Sequence, residues 1–368
     1  MGSELRWKIG VEVELCAPRG LSRRDLALAL AGADGTVTTV WHPQSEPAEV
    51  PGTPIFHNLT PGFDVRDRQG RLLARLVDDL TLQDDLDRQA APKPGWYRIV
   101  SDDLRLLRLV ARHADPTLPP ERALRPLADL FGSALQPGPQ GMVKLVDEAG
   151  ASVALAAPLP GERERGCELI TPPLEAGHGA ALEALLAPAR ALGFQIPAEA
   201  AVHLHFDAAP LCDAGRVRGL VRLWEAHAEP LKALVGTNPR CRRLGAWPPN
   251  LRARVEAPDW LGLGWPEARA QLAALNLTKY CDLNLRNLAL GTPDKHTVEV
   301  RVLPGAREAA PILEAAALFE ALLRLASADT PPQAAGSKDT ARLLAALPLD
   351  EGARGRWRAR AAQLPQRG

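Results

Sequence analysis

The chain has 368 residues, enough for one large domain or two ordinary ones, and its 44 Lys and Arg balance its 44 Asp and Glu. A formal charge of zero supplies no global field toward nucleic acid or an acidic membrane, and no run of about 18 apolar residues offers a membrane span. Five cysteines without a CxxC pair fit a reducing cytoplasm better than a disulfide framework and argue against a cysteine zinc site, and no amino-terminal apolar leader is visible. A cytoplasmic protein is therefore expected.

The first element, Ile9-Gly10-Val11-Glu12-Val13-Glu14-Leu15, reads as a strand whose period of two sends Ile9, Val11, Val13 and Leu15 to one face and Glu12 and Glu14 to the other. A strand can carry two glutamates on a solvent face without any chemistry, so the pattern matters only because it recurs downstream. Ser22 is a plausible N-cap for a short helix to Ala31, and residues 32 to 60 read as short strands and loops. Phe63 to Arg66 and Leu72 to Val77 flank Asp67-Arg68-Gln69-Gly70, and Met142 to Val146 and Ser152 to Ala156 flank Asp147-Glu148-Ala149-Gly150; both are hairpin signals. Between them lie a strand at 96–100 and helices near 103–113 and 121–134, so residues 41–165 read as an elaboration. Glu168-Leu169-Ile170-Thr171 is a strand stopped by Pro172-Pro173.

A helix over 177–193 leads to Val202-His203-Leu204-His205-Phe206, which sets two histidines opposite three apolar residues. A helix follows over 215–235 with Pro230 as an expected kink, then a loop with Arg240, Arg242 and Arg243, and a helix over 266–275. Strands are expected at 280–286, where Tyr280, Asp282 and Asn284 share a face, and at 296–303, where Glu299 and Arg301 oppose three valines. An amphipathic helix over 311–327 closes a unit of residues 1–330, and Thr330-Pro331-Pro332 separates it from a helical tail over 331–368.

Mixed strands and helices with hairpins and no repeated βαβ unit predict an α+β fold with an antiparallel sheet. If the polar faces meet across a curved sheet, the carboxylates repel, and a cation is expected between them; a pair about 4 Å apart repels by about 4 kcal/mol at an effective dielectric near 20. Glu12, Glu14, Glu168 and Glu299 with His203 and His205 form an oxygen-rich donor set, which suits magnesium or manganese better than zinc. The other metal reading of His203 and His205 is a cupin-like β-barrel. That motif wants a glutamate soon after the second histidine, and Phe206-Asp207-Ala208-Ala209-Pro210 stands there instead. Arg301 can either neutralise phosphoryl oxygens or simply pair with a glutamate.

In chain order, GVEVEL at 10–15, CELITPPL at 167–174, HLHF at 203–206, KYCDLNL at 279–285 and HTVEVRVLPG at 296–305 resemble the motif series of the amidoligase family, carboxylate-amine ligases related to glutamate-cysteine ligases and, more remotely, glutamine synthetases. The resemblance spans residues 8 to 327 and covers 41–165 poorly; Ala200-Ala201 replaces the usual glycine-containing lead into the histidine strand, and Ser101-Asp102-Asp103 only echoes an expected aspartate-serine element. It implies a glutamine-synthetase-like curved antiparallel sheet forming a funnel, with ATP and Mg2+, or Mn2+, at its waist. The implied activity joins a small-molecule or peptide carboxylate to an amine through an acyl phosphate.

By the same resemblance, Glu12, Glu14, Glu168, Glu299 and one of His203 and His205 are metal ligands, and Arg301 is a phosphate or acyl-phosphate contact. Glu299 and Arg301 are the expected catalytic pair, Arg301 the expected nucleotide contact, and Tyr280 and Asn284 the expected substrate side; apart from the resemblance, the charge of the arginine loop makes Arg240 and Arg243 further expected nucleotide contacts. Related glutamine synthetases assemble as rings, so a homo-oligomer is one expectation. A phosphotransferase on the same fold and a non-catalytic nucleotide-binding protein are the alternatives.

Overall fold

A computed structural model describes residues 5–45, 56–328 and 339–364; the Thr330-Pro331-Pro332 break and part of the 32–60 segment lie outside these. The first elements are β1 (Ile9–Cys16), α1 (Arg23–Ala31), β2 (Thr36–Ser45), β3 (His57–Arg66) and β4 (Leu72–Val77). Next come β5 (Tyr97–Ser101), α2 (Leu104–His113), α3 (Pro120–Phe131), β6 (Leu135–Pro137), β7 (Val143–Val146), β8 (Ser152–Pro158) and β9 (Gly166–Ile170). After these are α4 (His178–Ala191), β10 (Ala201–Asp207), α5 (Ala214–Val235), α6 (Pro249–Val255) and α7 (Trp265–Ala274). The last are β11 (Leu283–Asn284), α8 (Arg286–Leu290), β12 (Thr297–Pro304), α9 (Ala309–Ala326), α10 (Thr340–Ala346) and α11 (Glu351–Gln363). The class is α+β with antiparallel strand pairing, as the element order predicts, and among the described residues no helix is long and apolar enough to cross a membrane.

The chain divides into two compact units: residues 1–13, 173–186 and 199–368 form the first, and 14–172 with 187–198 the second. In the first, strands run in the order β11, β12, β10, β1, each pair antiparallel. Ile9, Val11 and Val13 of β1, Val202, Leu204 and Phe206 of β10, and Val298, Val300 and Val302 of β12 are all fully buried. Helices α5 and α9 pack on these strands, α9 with Ile312, Ala316, Phe319 and Leu323 on one helical face. Gly219 of α5 is required by close approach, because a Cβ there would stand 2.9 Å from the Ala326 carbonyl oxygen at the end of α9. Pro230 lies inside a continuous α5.

Helices α5 and α6 are clamped at Glu256, which accepts from Arg218 Nη2 at 2.9 Å and from Arg222 Nη2 at 2.6 Å. The Arg222 and Arg218 hydrogen bonds hold the Glu256 carboxyl at about 2, against an ordinary 4.5. A depressed carboxyl adds stability that is complete above the unfolded value and lost as pH falls toward the folded one. Glu256→Gln should therefore lower unfolding free energy by about 1 kcal/mol at neutral pH. The two proteins should converge between pH 4.5 and 2 in urea titrations; a gap that persists at the acid end would refute the clamp.

In the second unit the order is β9, β4, β3, β5, β8, β7, β6, and β2 pairs with β3 along all ten residues. Both predicted hairpins form around the same turn chemistry. Asp67 Oδ1 accepts the backbone N–H of Gln69 and Arg71, Asp147 Oδ1 that of Ala149 and Ala151, and Gly70 and Gly150 take the left-handed φ of +77° and +80°. Helices α2 and α3 cover a core of Trp41, Leu59, Tyr97, Ile99, Leu124 and Leu145. Away from it, Arg23 of α1 is fully buried and donates to the carbonyls of Pro61, Arg163 and Gly166, with Asp78 at 3.9 Å and the Trp96 ring 4.6 Å from its guanidinium.

Candidate functional site

The register of the first unit decides which polar side chains meet. Glu12 of β1 lies opposite His203 of β10, His205 lies opposite Glu299 of β12, and Glu299 lies opposite Asn284 of β11. Strand alternation then points all of these away from the valine-rich face. The β10–β12 ladder is irregular between Val202 and Leu204, where β10 advances two residues while β12 advances three. The extra residue is a bulge opposite His203, at Arg301 and Val302. Arg301 Nη1 donates to Glu299 Oε1 at 2.5 Å, and its backbone N–H is held by the Asp282 carbonyl at 3.0 Å.

Around Glu12 the contacts are tight. His203 Nδ1 donates to Glu12 Oε2 at 3.1 Å, while Glu12 Oε1 has His205 Nε2 at 3.0 Å and Lys295 Nζ at 3.1 Å. Glu299 Oε1 lies 3.7 Å from His203 Nδ1 and 4.0 Å from His205 Nε2, and Glu299 Oε2 accepts from Asn284 Nδ2 at 2.7 Å. Glu12, His203, His205, Asn284 and Glu299 are all buried. One donor atom each from Glu12, His205 and Glu299 lies within 4.8 Å of the others.

The His205 ring is oriented by Thr297, whose Oγ1 stands 3.2 Å from Nδ1; Nε2 is buried without a well-aligned hydrogen bond even though Glu12 Oε1 is close. A buried imidazole nitrogen aimed between two carboxylates fits a shared cation better than it fits a hydrogen bond.

Electrostatics keeps both carboxyls ionised. Burial alone would raise Glu12, but the nearby His205 ring, the hydrogen bond from His203 and the Lys295 ammonium outweigh it and hold the carboxyl well below the ordinary range. Burial likewise opposes the ionisation of Glu299, yet His205 and the Arg301 guanidinium bring it down to about 2 despite the neighbouring Glu12. Charged oxygens at low dielectric are what a hard divalent cation requires.

Glu14 and Glu168, the other two expected ligands, belong to the second unit, where donor atoms from Glu14, Asp79 and Glu168 lie within 4.8 Å of one another. Val77, the last residue of β4, pairs with Glu168 of β9, which brings the following Asp78-Asp79 beside it. Asp78 is buried against Arg163, whose guanidinium also donates to the Asp79 carbonyl. Asp79 Oδ1 accepts the Thr81 N–H at 2.8 Å, which fixes the carboxylate. Asp79 escapes a sequence reading that treats 41–165 as an elaboration; the signal available was an acidic pair closing a hairpin strand. Lys295 is also missed, although its odd number places it in line with Thr297, Glu299 and Arg301.

Tyr280 is not on a strand. The expected strand over 280–286 is reduced to Leu283–Asn284, because Thr278 Oγ1 caps the Tyr280 N–H and Asp282 is engaged by the arginine loop through Gly245 N–H at 2.9 Å and by α5 through Lys232 Nζ at 3.2 Å. The half-buried Tyr280 ring lies beside two cations, with the Arg243 guanidinium 5.0 Å and Lys279 Nζ 5.5 Å from its centre. Arg243 holds a left-handed φ of +64°, rare for a long side chain, and Arg240 is exposed. The arginine loop is thus linked through Asp282 to the backbone of Arg301, whereas Tyr280 makes no described contact with Glu12, Glu299 or the histidines.

A family model described as putative amidoligase enzyme matches residues 5–323. No curated protein and no solved structure matches the chain.

Proposed function

This chain belongs to the family of putative amidoligase enzymes, and on that premise we propose that it joins a carboxylate to an amine at the expense of ATP and a divalent cation on a glutamine-synthetase-like sheet. The observation that carries the reading is the meeting of Glu12, His205 and Glu299, with His205 Nε2 buried and turned toward both carboxylates. In this reaction a carboxylate oxygen attacks the terminal phosphorus and ADP leaves, then the amine nitrogen attacks the acyl carbon, phosphate leaves and the amine proton passes to a base.

Glu12, His205 and Glu299 would hold Mg2+ or Mn2+, and Glu14, Asp79 and Glu168 offer a second, all-oxygen set. A cation held there would supply positive charge to offset that of phosphate oxygens. The chain's own groups supply orientation. Thr297 sets the His205 ring, His203 fixes one Glu12 oxygen and Asn284 one Glu299 oxygen, so little reorganisation remains when ligands arrive. Arg301, only 12% exposed and held beside Glu299, is the group assigned to the negative charge that develops on the transferring oxygens. Arg240 and Arg243 are assigned to the nucleotide, and Tyr280 with Asn284 to the substrate side.

The test is phosphate release from ATP by the purified chain, with pooled acids and amines, followed by mass spectrometry. Phosphate release that chelation of the metal abolishes, with a product whose mass equals acid plus amine less water, supports the ligase. A phosphorylated acid as end product reassigns the chain to phosphoryl transfer. Tight ATP binding without turnover over a broad panel reduces it to a binding protein.

A further inference from the structure

Lys295 stands on the candidate cation site without being accounted for by it. It ends a short 3-10 turn, Pro293–Lys295, immediately before β12, and its ammonium is 3.1 Å from Glu12 Oε1, the same oxygen that His205 Nε2 approaches to 3.0 Å. Resting on the divalent-cation reading above, the geometry points to Lys295 as a built-in competitor for the site: its ammonium occupies Glu12 Oε1 until a divalent cation takes that oxygen, and once displaced it receives the anionic group that accompanies the cation.

Three observations support displacement of this residue in particular. The first is exposure: the Lys295 side chain is 52% exposed, whereas the guanidinium of the other cation of the cluster, Arg301, is 12% exposed and held by Glu299. A half-exposed lysine pair has small net worth and a flexible stem, so its release costs little.

The second is charge. Lys295 and Arg301 offset Glu12 and Glu299 in a buried cluster, which suits the protein before a cation binds. A divalent ion added with the ammonium still in place would lie within a few ångströms of a like charge, sharing one oxygen with it; with the ammonium gone, the ion faces two carboxylates and one guanidinium.

The third is position. Lys295 precedes Thr297, which holds His205, so the turn is anchored at its strand end while the long side chain swings from its own backbone. The displaced ammonium stays at the mouth of the site as a compact donor with three protons, chemistry suited to a phosphate oxygen. Divalent cation and phosphate-bearing ligand should therefore bind with positive coupling, each favouring the released lysine.

The experiment titrates Mn2+ into the full chain, with free Mn2+ read by electron paramagnetic resonance, for the unaltered protein, Lys295→Met, Lys295→Arg and Glu12→Gln. Removing the competitor should tighten Mn2+ in Lys295→Met by roughly fivefold, the scale of a half-exposed pair; Lys295→Arg should stay near the unaltered protein and Glu12→Gln should bind more weakly. With Mn2+ saturating, a non-hydrolysable ATP analogue should bind Lys295→Met several-fold more weakly than the unaltered protein. Mn2+ affinity that is unchanged or lower in Lys295→Met, while the unaltered protein binds Mn2+, overturns the proposal and leaves the cation site standing. Failure of the unaltered protein to bind Mn2+ overturns both.

Discussion

Glu299→Gln is expected to lower cation-dependent phosphate release by on the order of 10^2- to 10^3-fold, the range seen when a charge-stabilising group is removed from a reacting centre. The substitution keeps the shape and one oxygen but removes the charge that Arg301 meets at 2.5 Å and that His205 faces at 4.0 Å. Two consequences can be separated by varying Mg2+. If turnover recovers at high Mg2+, the carboxylate mainly holds the cation; if the maximal rate stays low, the freed Arg301 is mis-set for the developing charge. Because Arg301 is left without this partner in a buried place, the variant should also melt at a lower temperature, and assays belong below that point. A folded Glu299→Gln protein with unaltered turnover would remove Glu299 from the site.

Arg23→Ala should be the most damaging single change to stability, by about 3 to 5 kcal/mol, the usual cost of removing one member of a buried ionic network. The guanidinium is fully buried, and burial pulls it below its ordinary value while Asp78 opposes that pull. Its loss strands the carbonyls of Pro61, Arg163 and Gly166 and leaves Asp78 with Arg163 alone among the described cations near it. A fall in melting temperature of about 10 °C is expected in calorimetry. Arg23→Lys should recover less than half of it, since an ammonium cannot span three carbonyls from two segments as a planar fork does. Asp78 adjoins Asp79, so the variant should also weaken Mn2+ binding. A melting temperature within 2 °C of the unaltered protein, about 1 kcal/mol or less, would mean that the network is dispensable.

Much of the architecture follows from local rules. The strand alternation in β1, β10 and β12 is legible because three apolar residues on each have no other place to go, and that alone puts Glu12, His203, His205, Glu299 and Arg301 on opposite faces from the valines. The two hairpins are legible because an Asp and a Gly at fixed offsets satisfy a turn without help from the rest of the chain. The strand over 280–286 is misjudged for the converse reason: Tyr280, Asp282 and Asn284 alternate correctly, but Asp282 is taken by Gly245 and Lys232, partners distant along the chain.

The sequence by itself therefore determined the α+β class, the family and the set of residues that carry charge into the fold, since periodicity and ordered motifs depend only on neighbours along the chain. Tertiary structure decided what those residues do to one another: the bulge opposite His203, the sharing of one Glu12 oxygen by His205 and Lys295, and the arrival of Asp79 beside Glu168. Register and bulges arise from pairing between distant segments, where a one-residue slip reverses every side chain, and no local pattern encodes that choice.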